Sequence, residues 1–148
     1  MRLINRIVIH CSATKSTVDY FPSQLLADHL QRGFSDCGYH FYITKDGTVH
    51  PMRPLKTPGA HAQGYNAHSI GICYEGGLDT HGNASDTRTP AQKQALSTLV
   101  NQLTTTYPIC FLTGHRDLSP DLDGDGIVEP HEWTKICPCF EVKDEMQV

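Results

Sequence analysis

The chain alternates short β-branched runs with longer stretches in which apolar residues recur at helical spacing. Strands are predicted over residues 6–10, 38–44, 48–50, 69–74 and 109–113, and helices over residues 22–34 and from residue 90 onward. Asp46-Gly47 predicts a tight hairpin turn, and Thr89-Pro90 predicts the start of the longer helix. Interleaved helices and strands indicate an α/β fold, a single domain with a central mixed sheet flanked by helices.

Composition narrows the classes of protein that this chain can belong to. Its 148 residues predict one domain over 1–148, and 12 Lys+Arg against 16 Asp+Glu, a net charge of -4, argue against nucleic acid as a partner. The N-terminus has no apolar stretch as long as that of a signal peptide, and no segment is apolar over the length of a membrane helix. We therefore expect cytoplasmic synthesis without membrane insertion. Six cysteines could form a disulfide framework in a secreted protein, but Cys73 and Cys110 lie in apolar runs, which favours reduced thiols.

Two predicted strands lead into histidines, His10 and His115, and Cys137 follows further along the chain. If the two strands are parallel neighbours, both imidazoles lie at one edge of the sheet, where such sheets bind ligands. Two imidazoles and a thiolate supply the three protein ligands of a catalytic zinc site with one open position. Each residue also has an ordinary explanation, as a polar strand end or a packed thiol, and Cys139 could compete for the same metal.

An acidic loop at residues 121–132 separates His115 from Cys137. It fits the calcium-loop pattern, with carboxylates at positions 1, 3 and 5, a carbonyl at position 7, a glycine at position 6 and a glutamate at position 12. The predicted calcium ligands are Asp121, Asp123, Asp125, Ile127 and Glu132. A solvated Asp-Gly turn is the alternative interpretation. A bound calcium would be structural and would fix the path from His115 to Cys137.

Four motifs together resemble one family. They are Ile9-His10-Cys11-Ser12-Ala13-Thr14, Gly38-Tyr39-His40-Phe41, Gly59-Ala60-His61-Ala62-Gln63-Gly64-Tyr65-Asn66 followed by Ser69-Ile70-Gly71, and Lys135-x-Cys137-Pro138. In this order they resemble the zinc-dependent N-acetylmuramoyl-L-alanine amidases of the phage lysozyme type, which are relatives of the peptidoglycan recognition proteins. The resemblance implies a zinc site in a surface groove, with His10, His115 and Cys137 as ligands and water in the fourth position.

The resemblance also implies a reaction and roles for further residues. The bond cut joins the lactyl group of N-acetylmuramic acid to L-alanine in peptidoglycan. Tyr39 matches a catalytic tyrosine that orients or deprotonates the water, and Lys135 matches a lysine that stabilises the oxyanion. Core packing for Tyr39 and solvation for Lys135 are the alternatives. His61 and Asn66 resemble substrate-groove residues, with loop architecture as their alternative role.

Relative to the phage enzymes, the acidic loop at 121–132 is an insertion. The function predicted is that of an endolysin-like, bacteriolytic amidase, a monomer that degrades the cell wall after release from the cell. The first alternative is a non-catalytic peptidoglycan-binding module on the same fold. The second is a calcium-controlled structural or regulatory protein, which the acidic loop alone would support.

Overall fold

The computed structural model describes residues 2–146. The strands within these residues are β1 (Arg6–Cys11), β2 (Thr14–Lys15), β3 (Phe41–Ile43), β4 (Val49–Pro51), β5 (Ser69–Tyr74), β6 (Gly77–Leu78) and β7 (Phe111–Gly114). The helices are α1 (Pro22–Gln31), α2 (Pro90–Thr106) and α3 (Val142–Glu145), with 3₁₀ turns at Asn66–His68, His115–Leu118 and Pro130–Glu132. The predicted single α/β domain is confirmed.

The main sheet has the strand order β4-β3-β5-β1-β7. β5 and β7 both pair in parallel with β1, and β3 pairs in parallel with β5. β4 is antiparallel to β3, so the sheet is mixed as predicted. The predicted hairpin turn is present, and Gly47 adopts the positive φ of 84° that such turns require. β2 and β6 form a separate parallel pair.

Helices cover both faces of the main sheet. The larger core cluster joins α2, through Leu96, Leu99, Val100 and Leu103, to the sheet residues Ile7, Ile9, Ile43, Ile70 and Ile72. A smaller cluster on the opposite face joins Leu25 of α1 to Cys37, Tyr42 and Cys73. Because His10 is paired in register with Cys73, it faces the α1 side of the sheet. The fold therefore places the end of β1 beneath α1.

α2 begins as the sequence predicts. The Thr89 hydroxyl accepts the Gln92 N–H at 3.1 Å, and the Gln92 side chain accepts the Thr89 N–H at 3.0 Å. This reciprocal capping satisfies two backbone donors at the helix start. Pro90 in the first turn loses no hydrogen bond there. α2 is therefore fixed at the end nearest the β3–β4 hairpin, where the Thr89 hydroxyl donates to the Lys45 carbonyl.

Some predicted boundaries and burials are wrong. α1 ends at Gln31 rather than at residue 34, since Gly33 takes a φ of 93° that a helix cannot hold. The first hairpin strand begins at Phe41 rather than at residue 38. The strand predicted as buried over 109–113 is the edge strand β7, where Phe111 is 48% exposed and Cys110 is also exposed. An edge strand has a partner on one side only, which the local sequence does not reveal.

All six cysteines lie within residues 2–146 and are free thiols there, and Cys73 is fully buried as predicted. No helix in this part of the chain has the length and apolar character needed to cross a membrane.

Candidate active site

The carboxyl ends of β1 and β7 bring two histidines together. The two strands are parallel neighbours in which Ile9 pairs with Gly114, so the next residues, His10 and His115, lie side by side. Their ring centroids are 4.5 Å apart. His10 is almost fully buried, with 1% of its surface exposed, whereas His115 is partly exposed. The predicted adjacency of the two imidazoles is confirmed.

Cys137 reaches the same edge from the far end of the acidic loop. The Arg116 N–H donates to the Cys137 carbonyl at 2.8 Å, and the Cys11 N–H donates to Cys137 Sγ at 3.1 Å. The following proline packs so closely on Gly114 that a Cβ there would lie 2.7 Å from Pro138 Cδ. These contacts fix the thiol beside the end of β1. One ligand atom each from His10, His115 and Cys137 lies within 4.8 Å of the others.

The two imidazoles are neutral at physiological pH. Burial lowers the pKa of His10 well below its usual 6.5, with smaller contributions from His61 and His115. Burial also lowers the pKa of His115, and the nearby Lys135 ammonium lowers it further. A neutral imidazole keeps a lone pair for a metal, and the Cys137 sulfur lies at the same edge, where it accepts the Cys11 N–H. The donor set of two nitrogens and one sulfur fits zinc with an open position.

Cys139 is directed away from this group. Its Sγ lies 3.9 Å from Cys11 Sγ and 3.4 Å from the Gly77 carbonyl oxygen. Among the described residues, the metal-capable group at this edge contains Cys137 and not Cys139.

Tyr39 lies next to His10, and Lys135 lies next to His115. The Tyr39 ring is centred 4.9 Å from the His10 ring and also packs on the smaller core cluster. Burial raises the pKa of Tyr39 well above its usual 10, and the neighbouring cysteine thiols raise it further, so the phenol stays protonated. Lys135 is exposed and lines a cavity of about 210 Å³ together with His115. Tyr39 is thus a neighbour of the ligand candidate His10, and Lys135 is a neighbour of His115.

A second cavity, of about 430 Å³, lies on the Tyr39 side between the end of β1 and α1. Its polar lining comes from Ser12, Tyr20, Asp28, His29, Gln31 and Arg32. The cavity on the Lys135 side is lined by Ala62, Gln63, Tyr65, Leu118 and Thr134. The cavity beside Tyr39 is therefore lined by charged side chains, whereas the lining of the cavity beside Lys135 and His115 is otherwise uncharged.

His61 and Asn66, predicted at the substrate groove, have partners within the protein. His61 is 9% exposed, and its Nδ1 lies 2.9 Å from His10 Nε2. Asn66 Oδ1 accepts the backbone N–H groups of His61 and Ala62, each at 3.0 Å. These contacts match the loop-architecture alternative.

The acidic loop holds its carboxylates close together. One oxygen each from Asp121, Asp123, Asp125 and Glu132 lies within 4.8 Å of the others. Glu132 is 2% exposed, and its carboxylate accepts the backbone N–H groups of Glu129 at 2.9 Å and Asp123 at 3.2 Å. The neighbouring Asp125 carboxylate raises the pKa of Glu129 to about 7. The four residues required by the calcium-loop pattern therefore converge at one place.

Comparison with known proteins identifies the family. The family model of N-acetylmuramoyl-L-alanine amidases matches residues 1–139. The chain belongs to this family. The endolysin of Klebsiella phage KP32 is 39% identical to this amidase over 94% of the chain and 83% of the phage protein. The endolysin of Escherichia phage T7 is 37% identical over 93% of the chain and 82% of the phage protein.

Solved structures agree with the family assignment. The N-acetylmuramoyl-L-alanine amidase LysC from Clostridium intestinale URNW superimposes on this amidase with a TM-score of 0.71 and 34% identity, over 91% of this chain and 76% of LysC. The Apis mellifera protein PGRP-SA shares the fold, with a TM-score of 0.69 and 19% identity over 93% of this chain and 78% of that one.

One residue of this site in the amidase was missed by the sequence reasoning. Ser69 is fully buried, and its hydroxyl lies 3.1 Å from His61 Nε2. The only signal in the sequence was the position of Ser69 in the motif that begins at Gly59. A serine at the start of a predicted strand has no other feature that marks it.

Proposed function

We propose that this amidase hydrolyses the bond between the lactyl group of N-acetylmuramic acid and L-alanine in peptidoglycan, with zinc held by His10, His115 and Cys137. The observation that carries the proposal is the convergence of these three donors at the carboxyl edge of β1 and β7. A zinc ion bound there would lower the pKa of a water molecule toward neutrality and polarise the scissile carbonyl. The amide could then be attacked without an enzyme-bound acyl intermediate.

Tyr39 is proposed to orient the attacking water. Its raised pKa keeps the proton on the phenol at neutral pH, so the hydroxyl acts as a hydrogen-bond donor rather than as a base. Its ring is packed against His10 and the smaller core cluster, which restricts its motion. Core packing and water orientation are therefore compatible roles for the same side chain.

Lys135 is proposed to stabilise the negative charge that develops on the carbonyl oxygen. Its ammonium lies close enough to lower the pKa of His115, and it borders the cavity next to that histidine. A cation fixed where negative charge develops lowers the free energy of the transition state more than that of the ground state, and so lowers the activation barrier.

The two cavities are proposed to hold the two parts of the substrate on either side of the scissile bond. Asp28 and Arg32 in the larger cavity suit the charged groups of a stem peptide. Tyr65, Gln63 and Thr134 in the smaller cavity supply an aromatic ring, an amide and a hydroxyl for a sugar. The monomer is proposed to act on the wall after release, as expected for a relative of phage endolysins.

A non-catalytic peptidoglycan-binding module is the second candidate, since PGRP-SA has the same fold. The full set of His10, His115 and Cys137, with Tyr39 and Lys135 beside it, favours catalysis.

Product analysis tests the proposed function. Purified peptidoglycan incubated with the zinc-loaded protein is expected to gain free amino groups on L-alanine, while the reducing ends of the glycan stay constant. Zinc chelation is expected to stop the release. New reducing ends without alanine amino groups would indicate a glycosidase, and tight binding without either product would support the binding module.

We further propose that the insertion at 121–132 binds calcium in a structural role. The convergence of Asp121, Asp123, Asp125 and Glu132 supports this, and Gly126 has the φ of 84° suited to position 6 of such a loop. Without a cation, like charges held this close repel one another. The ion would fix the path of the chain from His115 to Cys137.

Calcium is expected to raise the melting temperature of the zinc-loaded protein by about 5–10 °C at a concentration of roughly 100 times the dissociation constant. An Asp123→Asn, Asp125→Asn double variant is the matched control and is expected to melt at the same temperature with or without calcium. If calcium leaves the melting temperature of the unmodified chain unchanged, the loop is a solvated Asp-Gly turn.

A further inference from the structure

A chain of three buried side chains runs inward from the proposed zinc site. His10 Nε2 lies 2.9 Å from His61 Nδ1, and His61 Nε2 lies 3.1 Å from Ser69 Oγ. The His10 and His61 rings are nearly perpendicular, with an interplanar angle of 89° and centroids 5.0 Å apart. We propose that His61 is a positioning residue that holds His10 in the tautomer with its proton on Nε2, leaving the lone pair of Nδ1 for zinc.

The direction of the hydrogen bond follows from the number of lone pairs. A neutral imidazole has one N–H and one lone pair. If His61 donated to His10, the only lone pair of His10 would be used, and no nitrogen would remain for a metal. If His10 donates, Nδ1 keeps its lone pair. This step rests on the proposed role of His10 as a zinc ligand.

The same count fixes the protonation of His61. Because Nδ1 of His61 accepts the bond from His10, its own proton lies on Nε2, which faces the Ser69 hydroxyl. The Ser69 hydroxyl oxygen therefore accepts the Nε2–H of His61. This one buried hydroxyl fixes the tautomer of His61, and through it the tautomer of His10. Partners of this kind orient metal-binding imidazoles and raise their basicity.

The backbone around His61 leaves its ring little freedom. A Cβ at Gly59 would lie 2.6 Å from His61 Cδ2, and a Cβ at Gly71 would lie 2.6 Å from His61 Cγ. The loop that carries His61 is held by Asn66 Oδ1, which accepts the His61 N–H. Two glycines therefore give the ring space, and one amide fixes its backbone.

His40, the other buried histidine nearby, cannot take over this role. Its ring centroid is 6.0 Å from that of His61, but both of its nitrogens have partners. Nδ1 accepts the Gly71 N–H at 3.0 Å, and Nε2 lies 2.9 Å from the Thr57 carbonyl oxygen. His61 is thus the described imidazole that contacts His10 Nε2.

The inference explains a stretch of sequence that otherwise resembles a substrate loop. Gly59, Asn66, Ser69 and Gly71 all surround or fix the His61 imidazole. These four residues therefore have a role in placing that ring behind His10.

Two substitutions at position 61 separate positioning from packing. His61→Ala removes the acceptor for His10, and the zinc affinity measured by chelator competition is expected to fall about 10–100-fold. His61→Asn places its Oδ1 near the former position of Nδ1 and can still accept from His10. We expect His61→Asn to recover most of the affinity, although it is smaller than histidine. His81→Ala, at an exposed histidine, is the matched control and is expected to bind zinc like the unmodified protein.

The tautomer itself is measured in the metal-free protein by ¹⁵N NMR of the histidine side chains. The unmodified protein and His61→Asn are expected to carry the His10 proton on Nε2, and His61→Ala is expected to lose this preference. A thermal melt of each metal-free variant checks that it is folded. If His61→Ala is destabilised, the zinc affinity of His61→Asn and the His10 tautomer remain as readouts.

If His61→Ala keeps the zinc affinity and the His10 tautomer of the unmodified protein, the positioning role of His61 is overturned, while the proposed function stands. The same holds if folded His61→Asn loses as much affinity as His61→Ala, because packing would then explain the effect. If the unmodified protein binds no zinc, or if His10→Ala binds it equally well, the proposed function fails as well.

Discussion

A Cys137→Ser variant is expected to lose its zinc and to release stem peptides from peptidoglycan at no more than the background rate. Serine has the size of cysteine but its hydroxyl does not ionise near neutral pH, so the thiolate ligand is lost. Zinc affinity is expected to fall by more than the ~100-fold that removal of an outer hydrogen-bond partner can cost. The measurement combines the zinc content of the purified variant with product release.

Cys110→Ser is the matched control for this variant. Cys110 is exposed at the edge strand, away from the three converging donors, and its replacement is expected to leave zinc content and activity unchanged. Circular dichroism of both variants checks the fold. If Cys137→Ser retained zinc and the normal rate, the ligand assignment would be wrong, and Cys139 would need testing as the sulfur donor.

A Lys135→Met variant is expected to lose about 10²–10³-fold in kcat while keeping its zinc. Methionine retains much of the length of the side chain but removes the charge that would stabilise the oxyanion. KM is expected to change little, because the charge develops mainly in the transition state. Steady-state kinetics on a soluble muropeptide, together with zinc analysis, separates these effects.

Lys143→Met tests whether any exposed lysine has this effect. Lys143 lies on α3, and its replacement is expected to leave kcat unchanged. A Lys135→Met variant with normal kcat would place Lys135 among ordinary solvated lysines. A loss of zinc would instead show that Lys135 supports the metal site.

The part of the site that could be predicted from the sequence is the part built on strand ends. A β-branched run ending in His10 predicts a buried strand, and parallel neighbours place their carboxyl ends at one edge. The pairing of β1 with β7 then brings His115 beside His10. The choice of Cys137 over Cys139 required the family resemblance, because both follow a loop whose path has no regular period.

The orientation of side chains could not be predicted in the same way. His61 precedes a strand in an exposed-looking loop, yet its ring points inward to His10, 51 residues away in sequence. That direction depends on the space left by Gly59 and Gly71. The exposure of β7 was missed for a related reason, since the position of a strand within the sheet order is a property of the whole chain.

The most direct test is a zinc titration of the metal-free protein, with release of L-alanine amino groups from peptidoglycan as the signal. Activity is expected to be absent at the start, to rise linearly with added zinc, and to reach a plateau at one zinc per chain. Full activity in the metal-free protein, or no activity at any ratio of zinc to protein, would contradict the account.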